Sequence, residues 1–357
     1  MKSFAKIIVV IALCCGWISS VLAADKLFLY NWNDYISEKN VSDFEKLCGC
    51  ILSEDYYSDN DEMLAKLSAG AMGYDVIVPT GNAVETLIRS QSLIPLDKSR
   101  LPNLRNMDPA FLDQFYDPGN KYSIPYSITT TLLGFNETKL KALGLPTNTW
   151  ALIFEPKYLE KLKGRVTVLD SPRELIAAAL IYLGYTANDA DEAHWREAKD
   201  LILRAKPYWA AFNGSSYIKE LTVGNIWVAQ GYSNDTYQAA EDARRAKRPF
   251  VVGFEVPKEG ATMSIDSMVI HKGSRYPELA HQFINFMMDG RQAADLSNFV
   301  GCGVANREAK AYIRADVAAN PAIFPDQATL KRLSMLKDID RKQRRLLNRI
   351  WTEIKVH

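Results

Sequence analysis

Histidine and cysteine are scarce in this chain, with four of the first and five of the second among 357 residues. The histidines, His194, His271, His281 and the terminal His357, lie outside every cluster of acids and aromatics, which leaves poor candidates for a general base. Gly-x-Ser-x-Gly, His-Glu-x-x-His, a Walker-type phosphate loop and Gly-x-Gly-x-x-Gly are all missing, so the usual signatures of α/β hydrolases, zinc proteases and nucleotide-binding enzymes are absent. A charge excess is lacking too: the formal net charge is +1. Such a balance gives no overall electrostatic footprint for nucleic acid or anionic lipid. No Pro/Gly-rich linker, internal repeat or low-complexity tract divides the chain.

A long apolar run occurs once, near the start. Lys2 and Lys6 precede "IIVVIALCCGWI", and small residues follow at Ala23 and Ala24, the layout of a cleaved secretory signal peptide over residues 1–23. The run is short for a membrane span of roughly 20 residues. Leu13 stands before Cys14 where a lipoprotein site wants a small residue. Cleavage removes two lysines and no acid, leaving 41 basic against 42 acidic residues. An exported chain of about 334 residues is expected to fold as two lobes, because single cores stop growing near that size. Its three cysteines, Cys48, Cys50 and Cys302, cannot all pair, and the Cys48-Gly49-Cys50 spacing is tight for a bridge, so they are expected to be mostly free.

Short β-like runs ("KLFLY", "CILSEDYY", "YDVIVPT", "RVTVLD", "IWVAQGY", "PFVVGFEV", "SMVIH") alternate with segments of helical period ("SEKNVSDFEKL", "DNDEMLAKLSAG", "ELIAAALIYLGY", "PELAHQFINFMMDG"). This alternation predicts an α/β protein with largely parallel sheets. Ser37 is a candidate N-cap, Asn60 or Asp61 another, and Pro277 suits a first helical turn. With no evident linker, the chain is expected to cross between the lobes more than once.

Ligands of open α/β sheets bind beyond the carboxyl ends of the strands. In this sequence those places hold Trp32, Asn33, Asp34 and Tyr35, then Thr80, then Asp170 to Glu174, then Tyr232 to Asp235, with Asp266 just ahead of "SMVI". Acids and aromatics dominate, and Arg173 is the lone basic residue. Aromatic faces attract ammonium groups and sandwich methylenes, while carboxylates give charge-assisted hydrogen bonds. A cationic amine, a diamine or polyamine above all, alternates charge and hydrocarbon in this way. Capping offers a plainer use for Asp34, Asp170 and Asp235, and the helix dipole one for Glu174. Tyr30 reads as a packed strand residue, whereas Trp32 sits in an otherwise polar loop.

The stretches "YNWNDYIS", "DNDEMLAKLSAGAMGYDVIVPT", "LIPLDKSRLPNLRNMDP", "YSIPYSITTTLLGFN", "PKEGATMSIDSMVIHKGS" and "ELAHQFINFMMDG" resemble the periplasmic spermidine/putrescine-binding proteins of ABC importers, in family order over nearly the whole mature chain. The resemblance implies a type II periplasmic binding fold: lobes 24–128 plus 264–304 and 129–263 plus 305–357, each a mainly parallel sheet flanked by helices, with the ligand cleft between. It further implies a monomer in the periplasm that delivers a cationic amine to an inner-membrane permease, without cofactor, metal or catalysis. A sensor that presents its liganded form to a receptor uses the same fold. By position, Trp32, Asn33, Asp34 and Tyr35 match the family's first pocket loop, and Thr80 its pocket serine. Glu174, Asp235 and Asp266 match its ammonium-binding carboxylates, and Tyr232 stands where a tryptophan commonly stacks. Ser264, Cys302 and Ile128 replace pocket aromatics, which is expected to thin the hydrocarbon clamp.

Overall fold

The computed structural model describes residues 25–57 and 59–356. The expected signal peptide lies outside the described residues. Eleven strands are present among them: β1 (Lys26–Trp32), β2 (Ile51–Tyr57), β3 (Val76–Ile77), β4 (Leu93–Ile94), β5 (Ser123–Asn136), β6 (Val166–Val168), β7 (Ala211–Phe212), β8 (Val228–Tyr232), β9 (Val252–Glu255), β10 (Ala261–His271) and β11 (Leu333–Met335). They run β2-β1-β3-β10-β5-β8-β6-β7, with β4 and β11 also on β10 and β9 on β5. Two lobes result, each an α/β unit, joined through β5 and β10.

The sheets are mixed rather than mainly parallel. Parallel ladders join β1 to β2 and β3, β6 to β7 and β8, and β10 to β11, whereas β10 runs antiparallel to β3, β4 and β5, and β5 antiparallel to β8 and β9. The antiparallel ladders arise where the chain passes between lobes and returns. Ser127, Thr129 and Thr130 of β5 pair with β10, and the next residues, Thr131 to Phe135, pair with β8. All fourteen residues of β5 are buried.

Each lobe has its own core. Leu27, Leu29, Phe44, Ile124, Met268 and Phe283 belong to one, and Leu132, Trp150, Leu180, Ile202, Leu347 and Ile350 to the other. Their helices begin and end where side chains permit. Ser37 Oγ accepts the Asn40 N–H at 2.9 Å to start Glu38–Cys48, and Pro172 and Pro277 open Pro172–Tyr182 and Pro277–Met287, where a missing N–H costs nothing. Helix Asn60–Ser68 is capped by Asp59, one residue before the expected candidates, through the Glu62 N–H at 2.8 Å.

Cys48 and Cys50 form a disulfide, contrary to expectation, and only Cys302 is free among the described cysteines. Gly49, with φ +63°, ends the first helix in the left-handed region and folds the chain back, bringing the flanking Cα atoms to 5.1 Å. That lies inside the range a bridge needs. Among the described residues, no helix is long and apolar enough to cross a membrane.

Candidate ligand-binding site

Asp266 is held at the crossing of the two lobes. It pairs with Ser127 of β5, and the ladder shifts register immediately after it, a bulge that re-aims the strand. Thr80 bridges to it from the other side, and the Ser267 N–H donates to the Pro79 carbonyl at 2.9 Å. The residue is 4% exposed. Its Oδ2 accepts the Tyr35 hydroxyl at 2.7 Å, and that hydroxyl also lies 2.8 Å from Ser127 Oγ. Oδ1 has no hydrogen-bond partner among the described residues. Burial disfavours the charged form and pushes the carboxyl up to about 7, although the Tyr35 hydrogen bond pulls the other way.

Two further carboxylates come from helix first turns. Glu174 Oε2, in Pro172–Tyr182, accepts the Thr262 hydroxyl at 2.6 Å; burial raises its pKa, with Thr262 and Thr131 opposing. Asp235, in Ser233–Arg245, accepts the Tyr217 hydroxyl at 2.5 Å and the Asn234 amide at 2.9 Å, and burial pushes it up to about 6. Asp235 is therefore not a helix cap; Tyr232 holds that position. Asp170 caps nothing either, for Ser171 precedes the helix and Asp170 pairs with Lys355 at 2.8 Å.

Tyr232 feels the charge of all three acids. It ends β8 opposite Thr131. Burial raises its hydroxyl pKa most, and the charges of Glu174, Asp235 and Asp266 all add to the shift. None of the three acids forms an ion pair with a Lys or Arg among the described residues. Arg173 donates to the Lys337 carbonyl, 2.9 Å away, and its charge also opposes the rise of the Glu174 pKa without forming an ion pair.

The first loop divides. Trp32 is half-buried, its Nε1 donating to the Val78 carbonyl at 2.9 Å and its ring 4.6 Å from that of Tyr57. Tyr35 is a core residue that reaches the site only through its hydroxyl. Asn33 and Asp34 are exposed and bonded to each other at 2.7 Å, and Asp34 acts on Glu54, not on the buried acids. Thr80 is held by Asn60 and Asn82 at 2.7 and 2.6 Å.

Of the three positions where aromatics were expected to be lost, Ser264 alone keeps some exposure, with its hydroxyl 2.7 Å from that of Thr129. Cys302 is fully enclosed beside Ser127, and burial pushes its thiol up to about 12. Ile128 is buried in the first core and bridged to Gly303. Sequence reasoning passed over Tyr217 and Thr262, which donate to Asp235 and Glu174, and Ser127, which hydrogen-bonds the Tyr35 hydroxyl; hydroxyls that act across the fold leave no local pattern. No group of three or more His, Cys, Asp or Glu among the described residues is placed to hold a metal.

Comparison with known proteins shows the family and the fold. Residues 39–325 match the model of a family described as bacterial extracellular solute-binding protein. A putrescine/cadaverine-binding protein of Pseudomonas aeruginosa is 56% identical, covering 98% of this chain and 99% of its own. The putrescine-binding periplasmic protein PotF of Escherichia coli is 37% identical over 94% of this chain and 93% of its own. Among solved structures, the spermidine/putrescine ABC transporter substrate-binding protein PotD of Streptococcus pneumoniae matches with a TM-score of 0.83 at 26% identity, covering 93% of this chain and 99% of that one. This chain belongs to the bacterial extracellular solute-binding proteins, the non-catalytic binding components of ABC transporters, and is homologous to their putrescine- and spermidine-binding members.

Proposed function

We propose that this protein is the periplasmic binding component of an importer for a short linear diamine, putrescine or cadaverine, and that Glu174, Asp235 and Asp266 receive its ammonium groups while Trp32 and Tyr232 cover its methylenes. The observation that carries this reading is the buried Asp266, whose Oδ1 has no hydrogen-bond partner among the described residues and which, like Asp235, forms no ion pair with a Lys or Arg there. Buried carboxylates are costly unless paired, and an incoming ammonium supplies the pair. That the 56% identical relative from Pseudomonas aeruginosa is a putrescine/cadaverine-binding protein supports a diamine. Lobes 24–128 with 264–304 and 129–263 with 305–357 close on the ligand in a monomer, which an inner-membrane permease then unloads.

Titration calorimetry of the mature protein tests this against putrescine, cadaverine, spermidine, spermine and arginine. One diamine per protein, recovered unchanged and bound more tightly than the longer amines, is expected. Heat only from a neutral or anionic solute would overturn the reading.

A further inference from the structure

The near-zero net charge hides a strong local asymmetry. Between Lys331 and Arg349 stand eight basic residues and two acids, a net of +6 in a chain whose total is +1. Most of this charge is on the C-terminal helix, Arg341–Val356. Leu347, Ile350 and Ile354 bury one face of it in the second core. At 100° per residue, Arg341, Lys342, Arg345 and Arg349 fall on the opposite face, and all four are exposed. Arg349 pairs with Glu192 at 3.0 Å, while Arg341, Lys342 and Arg345 make no ion pair among the described residues. The neighbouring Arg344 is held by Asp338 at 2.9 Å.

This placement runs against local stability. Asp340 and Gln343 form a capping box, each bonding the other's N–H, at 2.7 and 3.1 Å. The first turn beyond it is then basic where the helix dipole favours acids. A local rule broken without an internal partner points outward. We propose that the stripe of Arg341, Lys342, Arg345 and Arg349 is an electrostatic docking surface for anionic phospholipid headgroups. The stripe carries no apolar or aromatic side chain between its charges, and stable protein interfaces are anchored by such residues. A headgroup layer needs none: juxtaposed basic residues suffice, each additive and screened by salt. The four residues span about 12 Å along one helix face, so a flat surface addresses them together.

Sedimentation of the mature protein with vesicles decides the matter. Wild type is expected to partition onto vesicles of phosphatidylcholine with a quarter phosphatidylglycerol, to ignore pure phosphatidylcholine, and to be released by 0.5 M salt. Neutralising Lys342 and Arg345 (Lys342→Gln with Arg345→Gln) should weaken partition about thirtyfold, close to fivefold per residue, with diamine binding by calorimetry unchanged. Equal partition of wild type and variant, or equal partition onto neutral vesicles, would overturn the proposal. Binding to poly-glutamate without partition onto phosphatidylglycerol would overturn it in favour of an acidic protein partner.

Discussion

Asp266 holds a carboxylate where the surroundings favour the acid. In the folded protein alone its pKa is raised from 3.8 to about 7. The folded state therefore binds this proton more tightly than the unfolded chain does. The stability it contributes is present at low pH and is lost as pH rises from about 4 through 7, by roughly 4 kcal/mol at 1.36 kcal/mol per pKa step. Asp266→Asn is accordingly expected to raise the melting temperature of the ligand-free protein at pH 8, and to weaken diamine binding thirtyfold or more, since truncating one partner of a buried charge pair costs about 2 to 5 kcal/mol. Scanning calorimetry with and without putrescine reads both effects; a variant that is less stable and binds normally would show that Asp266 is structural. Proton linkage makes a companion prediction. An ammonium favours the ionised carboxylate, so below pH 7 binding must expel the Asp266 proton, and below about 6 the Asp235 proton as well. Affinity should fall as pH falls, by up to about tenfold per pH step for each group so displaced. Titrations in buffers of different ionisation heat, at pH 6 and pH 8, measure the released protons, and equal affinity at both would contradict the assignment.

At the scale of elements, β5 shows what the sequence could and could not reveal. Helices such as Pro172–Tyr182 and Pro277–Met287 were legible from period and from their leading prolines. In β5, by contrast, Ser127, Thr129, Thr130 and Thr131 interrupt the apolar pattern, although every residue is buried. Those hydroxyls are buried because they have work to do: Ser127 lies against the Tyr35 hydroxyl, Thr129 against Ser264, and Thr131 assists Thr262 on Glu174. The acids themselves were legible, as carboxylates clustered at strand ends with aromatics. Their supports were not, because Tyr35 lies 231 residues from Asp266 and Thr262 lies 88 from Glu174. The Cys48–Cys50 bridge ran against the expectation from its tight spacing because Gly49's left-handed backbone decides it. That bridge closes a loop of only three residues, for which chain entropy gives about 1.5 kcal/mol. Replacing both cysteines by serine is expected to lower unfolding free energy in urea by that amount and leave diamine affinity unchanged. A loss of binding would mean that the end of the first helix communicates with the cleft.

For the whole molecule, the decisive feature is that the acids are held from different lobes. Asp266 is positioned by Tyr35, which packs in the first core. Asp235 is positioned by Tyr217, which packs with Leu221 and Ala229 in the second lobe. On the proposed reading, a molecule with an ammonium at each end satisfies carboxylates on both sides at once, and its free energy of binding then favours the closed arrangement, because only that arrangement offers both contacts. A monoamine of the same carbon count can satisfy one side only. n-Butylamine is therefore expected to bind at least a hundredfold more weakly than putrescine, since the forfeited buried pair is worth about 2 to 5 kcal/mol and 1.4 kcal/mol is tenfold in affinity. Small-angle scattering should show the radius of gyration contract with saturating putrescine and stay unchanged with n-butylamine. Glu174→Gln, which removes a carboxylate on the second side, should bring putrescine closer to butylamine in affinity while leaving butylamine itself less affected. Were butylamine to match putrescine in both affinity and contraction, one lobe's acids would account for all the recognition, and the bridging geometry would have no part in closing the protein.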